Sequence, residues 1–160
     1  MATDAVTFRL ARASDAPAMA AMTRSLIEAG LPPRYTEHRM ARLIASREHT
    51  ALAAVGADGV QGFAIMQFGD ERAHLVLLGV SAPLQRGGIG RALVEWLVES
   101  AQVAGIASIH LELRADNVGA KAFYESLGFS ETLVVPGYYE GRIAARRMIR
   151  VLRVQAASPG

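Results

Sequence analysis

The stretch Gln85-Arg86-Gly87-Gly88-Ile89-Gly90 decides how the rest of the chain is read, because a long amphipathic run follows it directly. Glycines at 87, 88 and 90 describe a loop whose backbone must come close to something. Glycine has no Cβ, so successive amide N–H groups can turn inward and form a concave anion site. At the start of a helix, those donors add to the positive end of the helix dipole. The guest that such a loop accepts is a phosphate or pyrophosphate.

Three phosphate-binding patterns compete for the stretch. The P-loop requires a lysine after its second glycine, and none follows here. A dinucleotide fingerprint begun at Gly88 and Gly90 would have Leu93 in its third glycine position, and Ser81 to Arg86, with Pro83 among them, would separate it from its strand. The pattern Q/R-x-x-G-x-G/A is filled completely by Gln85, Gly88 and Gly90. In this the chain resembles the acyl-CoA loop of the GNAT N-acetyltransferase superfamily. A second motif, Asn117-x-x-Ala120-x-x-Phe123-Tyr124-x-x-Leu127-Gly128-Phe129, carries the resemblance onward. Two further segments, Leu111-Glu112-Leu113-Arg114 and Tyr138-Tyr139-x5-Ala145-x-x-Met148, resemble the bacterial ribosomal-protein-alanine branch, which acetylates protein N-termini.

The resemblance implies acetyl-CoA as co-substrate, no metal, and direct transfer of the acetyl group to a primary amine. Gln85, Arg86, Gly87, Gly88, Ile89, Gly90 and Arg91 would then cradle the pyrophosphate. The backbone at Leu78, Gly79 and Val80 would run beside the thioester and donate to its oxyanion if the strand is splayed or bulged there. Asn117 would contact the pantetheine arm, Tyr124 would protonate the departing thiolate, and Glu112 would be the general base. Tyr138 and Tyr139, together with Tyr35 in the segment between the first two helices, would line the acceptor site. A protein N-terminal α-amine is the leading acceptor. Its ordinary pKa, about 8, makes it easier to deprotonate than a lysine near 10.4.

The sequence also departs from the family pattern. Ala144 stands where the N-terminal acetyltransferases carry an acidic residue, which weakens the carry-over to a peptide and keeps a small amine (polyamine, amino acid or aminoglycoside) as the alternative. Ser81-Ala82-Pro83 stands where an acidic residue often precedes the cofactor loop. Blander readings exist for each residue. Asn117 reads as a helix cap, Tyr124 as a core aromatic and Glu112 as a structural acceptor. His38 and Arg39 read as part of a solvated helix face. His74 and His110 read as alternative bases or as ordinary strand histidines. A CoA-sensing module with little turnover would keep the glycine cradle but would not need Tyr124 or Glu112.

Composition sets the outer bounds. The chain has 160 residues, 51% of them hydrophobic and 20% charged, as expected of one globular domain over residues 1–154 with a disordered tail at 155–160. A net charge of +2, with no aromatic-interleaved basic patch, gives no argument for a nucleic-acid partner. There is no cysteine, which excludes a thiol acyl-enzyme and fits a reducing, cytoplasmic setting. No apolar run approaches the roughly 18 residues of a membrane span, and no signal peptide is evident.

Periodicity supplies the element order. Strands are expected at Val6–Leu10, Thr50–Val55, Val60–Phe68, Ala73–Val80, Ser108–Arg114, Phe129–Val135 and Ile143–Val154. Asp58-Gly59 reads as a hairpin turn, and Gly137-Tyr138-Tyr139 falls in the last hairpin loop. Helices are expected from Ser14 to near Gly30, from a Thr36 cap, from Gly90 to Gly105, and from Asn117 to Leu127. The resulting fold class is α/β: a mixed, mainly antiparallel sheet with helices on both faces. The edge of the closing hairpin makes a homodimer an expectation.

Overall fold

A computed structural model describes residues 5–85, 87–139, 141 and 143–153. Arg86 and the predicted tail at 155–160 lie outside the described residues. Seven strands form one mixed sheet in the order β1-β2-β3-β4-β5-β7-β6. They are β1 (Thr7–Leu10), β2 (His49–Gly56), β3 (Gly59–Phe68), β4 (Arg72–Val80), β5 (Ser108–Arg114), β6 (Ser130–Tyr139) and β7 (Ile143–Val151). The helices are α1 (Ala16–Leu26), α2 (Glu37–Ala45), α3 (Ile89–Val103) and α4 (Val118–Ser126). The chain divides into two compact units, Met1–Gln67 with Leu75–Leu97, and Phe68–His74 with Val98–Gly160.

In the first unit, strand alternation sends successive side chains of β3 to opposite faces. Phe63 and Ile65 join Met19, Met40, Ala51 and Leu77 in a buried cluster under α1 and α2. Gly62 points the other way, where an added Cβ would stand 2.9 Å from Ile89 and 3.4 Å from Leu93 of α3. Helices therefore cover both faces, as expected. On β4, Gly79 serves the first face: a Cβ there would lie 2.8 Å from the Phe63 ring. The part of α3 in this unit buries Leu93, Val94 and Leu97.

In the second unit, β5 pairs antiparallel with β7, matching Leu111 to Met148 and Glu112 to Arg147. One face buries Ile109, Leu111, Leu113 and Met148. Arg150, on that same face by register, donates to the Leu127 carbonyl at 3.0 Å and ties the end of α4 there. The opposite face carries His110, Glu112 and Arg114, half-buried, beside Arg147.

Several boundaries differ from the sequence reading. Ser14 caps nothing; it lies in a short 3₁₀ turn, Ala13–Asp15, that precedes α1. Asp15 instead accepts from Arg9 at 2.7 Å and from the Arg12 amide at 2.7 Å. The α1 helix stops at Leu26, short of Gly30. The first hairpin turns on Ala57-Asp58, one residue early, because Gly59 at φ +101 already pairs with Gly56. β4 begins at Arg72, one residue earlier than expected, and from Ala73 on alternates buried and half-buried residues. The closing hairpin is tighter than expected: β6 runs to Tyr139, which pairs with Ile143, so Gly137, Tyr138 and Tyr139 belong to the strand and not to its loop.

Candidate active site

The end of β4 and the loop after it form a candidate region within the first unit. Ser81 N–H donates to the Gln61 carbonyl of β3 at 2.9 Å. Strand residues alternate the direction of their backbone groups, so the N–H groups of Val80 and Leu78 point away from β3. On that edge β4 pairs with β5 over Arg72–His74 against Ser108–His110, and both strands run on past the last pair. Gln85 stands on the same edge, its Nε2 donating to the Val80 carbonyl at 3.0 Å. Its side chain thereby fastens the loop to the strand end. Gly88 is exposed at φ +90, with nothing within 4 Å of where a Cβ would be. Ala92 N–H bonds the Gly88 carbonyl at 3.0 Å, and the first-turn amides of a helix precede its own hydrogen-bond ladder. A glycine turn at a helix start, open where Gly88 would carry a Cβ, fits a pyrophosphate.

A separate candidate region, within the second unit, lies on the charged face of β5. His74 Nε2 sits 2.5 Å from Glu112 Oε2, and Arg147 Nε lies 3.5 Å from Glu112 Oε1. The His74 hydrogen bond, opposed by burial and aided by the nearby Arg147 charge, holds the Glu112 carboxyl below its usual range. His110 bonds Ser108 Oγ at 2.9 Å, and burial, with Arg72 and His74 nearby, pushes its pKa down. The sequence singled out Glu112; it did not reveal that His74, 38 residues away, closes on it.

Tyr124 is buried, 9% exposed, between Phe123 at 5.1 Å and Phe129 at 5.6 Å, both edge-to-face. Burial, with Tyr139 close by, pushes its phenol pKa up, so the group stays protonated. Asn117 does not share this burial. It is the exposed N-cap of α4, its Oδ1 accepting from Ala120 N–H at 3.0 Å. Its amide NH2 remains a donor. Tyr138 and Tyr139 meet edge-to-face at 5.0 Å, and Tyr139 influences both Arg114 and Tyr124 electrostatically.

The segment between α1 and α2 holds Tyr35, half-buried, with the Arg39 guanidinium 4.6 Å above its ring. Glu28 went unnoticed in the sequence. Its carboxylate is buried, Oε2 accepts from the Arg34 amide, and Oε1 has no partner among the described residues. Among those residues no group of three or more His, Asp or Glu side chains could hold a metal ion, and no helix is long and apolar enough to cross a membrane.

Comparison with known proteins gives this arrangement its class. The Acetyltransferase (GNAT) family model matches residues 20–129, so the chain belongs to that family. Its fold is the GNAT fold. A curated relative, the [Ribosomal protein bS18]-alanine N-acetyltransferase of Escherichia coli K12, is 44% identical over 77 residues, 48% of this chain and 52% of that protein. The matched segment thus spans about half the length of the curated relative. The crystal structure of the ribosomal-protein-S18-alanine N-acetyltransferase from Escherichia coli superposes with a TM-score of 0.82 at 29% identity, over 98% of this chain and 99% of that one. Arabidopsis thaliana NAA60 in complex with acetyl-CoA shares the fold at 16% identity, with a TM-score of 0.82 over 92% of this chain and 99% of that one.

Proposed function

We propose that the chain, acting as one domain over residues 1–154 in the cytoplasm, moves an acetyl group from acetyl-CoA directly to a protein N-terminal α-amine. The observation that carries this is the Gln85–Gly90 loop, fastened to the end of β4 through the Gln85–Val80 hydrogen bond. In support, the E. coli bS18-alanine enzyme superposes along nearly the whole chain. The loop amides, with Arg86 and Arg91, hold the pyrophosphate, and the Asn117 amide holds the pantetheine arm. The outward N–H groups of Leu78 and Val80 stabilise the carbonyl oxygen as negative charge develops on it. Gly79 serves by absence, leaving room for Phe63.

The chemistry is a balanced transfer. The acceptor ammonium loses a proton to the basic pair Glu112–His74, and its nitrogen lone pair forms the new C–N bond at the acetyl carbonyl. The C–S bond then breaks, the sulfur takes a proton from Tyr124, and the second proton shed by the new amide nitrogen restores the phenol. Tyr35, Tyr138 and Tyr139 supply aromatic surface and phenol donors for the acceptor's first residues. Ala144, in place of the usual acidic residue, favours a small-molecule amine as the second reading.

Thiol release from acetyl-CoA tests the proposal, using a peptide with a free N-terminal alanine, the same peptide blocked, and a panel of small amines. Release with the free peptide alone is expected. Release with small amines alone keeps the chemistry and discards the peptide. Binding of acetyl-CoA with no release from any amine overturns the transferase in favour of a sensor. The reading includes a homodimer on the β6 edge of the sheet, which sedimentation of the same protein checks.

A further inference from the structure

We propose that His74 is the general base of this transfer and that Glu112 is its positioning residue. The inference deepens the acetyltransferase reading and rests on it. An ionised carboxylate only accepts hydrogen bonds, so the 2.5 Å contact assigns the hydrogen to His74 Nε2. The lone pair of the neutral ring then lies on Nδ1, which has no hydrogen-bond partner among the described residues. Both Glu112 oxygens are already engaged, Oε2 by His74 and Oε1 by the Arg147 guanidinium.

Exposure points the same way. The His74 side chain is 39% exposed against 16% for Glu112, so the imidazole, not the carboxylate, is open to an incoming amine. Basicity agrees as well. A carboxylate held below its ordinary range is badly matched to an ammonium. Position completes the case: His74 is the last β4 residue paired with β5, where the two strands continue past their ladder. The step is a single proton transfer from the acceptor ammonium to Nδ1. Glu112 stabilises the resulting imidazolium through Nε2–H and keeps its own charge.

The groups facing His74 are Arg72 on β4, His110 and Glu112 on β5, and Arg147 on β7. The test must separate them. His74→Gln keeps a side-chain N–H for Glu112 but has no basic lone pair. We expect its kcat to fall about 100-fold, with KM for acetyl-CoA unchanged within twofold and the acidic limb of the pH profile lost. Imidazole added to His74→Ala is expected to restore rate. Glu112→Gln is expected to retain a limb displaced to lower pH, because it removes the anion that favours the imidazolium. Nitrogen-15 NMR of the whole protein gives a readout independent of turnover: neutral His74 appears as the Nε2–H tautomer, and Glu112→Gln lowers its midpoint. A His74→Gln enzyme within threefold of the parent, a limb that vanishes with His110→Asn instead, or an Nδ1–H tautomer each overturns the proposal. A parent protein that acetylates no amine yet shows the Nε2–H tautomer overturns the transferase reading itself, and reduces the pair to a structural contact.

Discussion

The two candidate functional regions, one in each compact unit, are built by opposite means. The loop at the end of β4 works through backbone, with glycines and a fastening glutamine that are neighbours in sequence. The charged face of β5 works through side chains delivered by three strands: His74 from β4, Glu112 from β5 and Arg147 from β7. A backbone site is hard to remove by changing side-chain chemistry but is sensitive to added bulk. A side-chain site has the reverse weakness. Substitutions should therefore separate cofactor binding from chemistry.

The largest expected effect is on the chemical side. Tyr124→Phe removes only the phenol oxygen and keeps the ring between Phe123 and Phe129. Its kcat should fall about 100-fold, while isothermal titration should give an unchanged Kd for acetyl-CoA. Unaltered turnover would remove Tyr124 from the proposed role of acid. On the other side, Gly88→Val places a β-branched residue at φ +90. Left-handed backbone costs an ordinary residue about 1–2 kcal/mol, so the Kd for acetyl-CoA should weaken about tenfold with the circular-dichroism spectrum preserved. Tight binding by this variant would break the contrast between the two regions.

That contrast also explains what was legible in the sequence. The glycine loop could be located because its residues are consecutive and stand directly before a helix. The α4 motif could be located, and Asn117 and Gly128 do bracket the helix as a cap and a φ +88 stop. Helical spacing of seven residues would put Asn117 and Tyr124 on nearly the same face. The chain leaves helical geometry at the cap, which turns one residue to solvent and leaves the other in the core. The Glu112–His74 pair was illegible for a different reason. Its closeness is a product of parallel β4–β5 pairing, which places His74 opposite His110, two residues from Glu112. No local spacing encodes a register between strands so far apart in sequence. Glu28 was missed because a glutamate near a helix end reads as a solvated charge until its burial is seen.

Gly79 tests whether a family position is held by chemistry or by packing. Its amide and carbonyl point toward β3, and a Cβ would stand 2.8 Å from the Phe63 ring. Gly79→Ala should therefore cost about 1–3 kcal/mol through overpacking, read as a lower urea midpoint. At temperatures well below the transition, Kd for acetyl-CoA should change little. A large loss of binding with the midpoint unchanged would move Gly79 into the cofactor site proper.

The smallest effect expected lies farthest from the reaction, where the first unit is tied to its own N-terminal strand. Asp15 is buried and accepts from Arg9 and from the Arg12 amide. The Arg9 hydrogen bond, working against burial, holds the Asp15 carboxyl below its ordinary range. Folding thus depresses this pKa, so the unfolded chain binds the proton more readily. The stabilisation is complete above the unfolded aspartate value, near 3.9, and is lost as the pH falls through the lower folded value. Arg9→Ala should accordingly lower the urea midpoint at pH 7 and narrow the gap to the parent on acidification. Because the Arg12 amide remains as a partner, the loss at pH 7 should stay near 1 kcal/mol. A gap that instead widened below pH 4 would mean that Arg9 stabilises the unit by some means other than the ionised Asp15. In all these conditions the Kd for acetyl-CoA is expected to follow the parent, since neither group belongs to the cradle or to the charged face of β5.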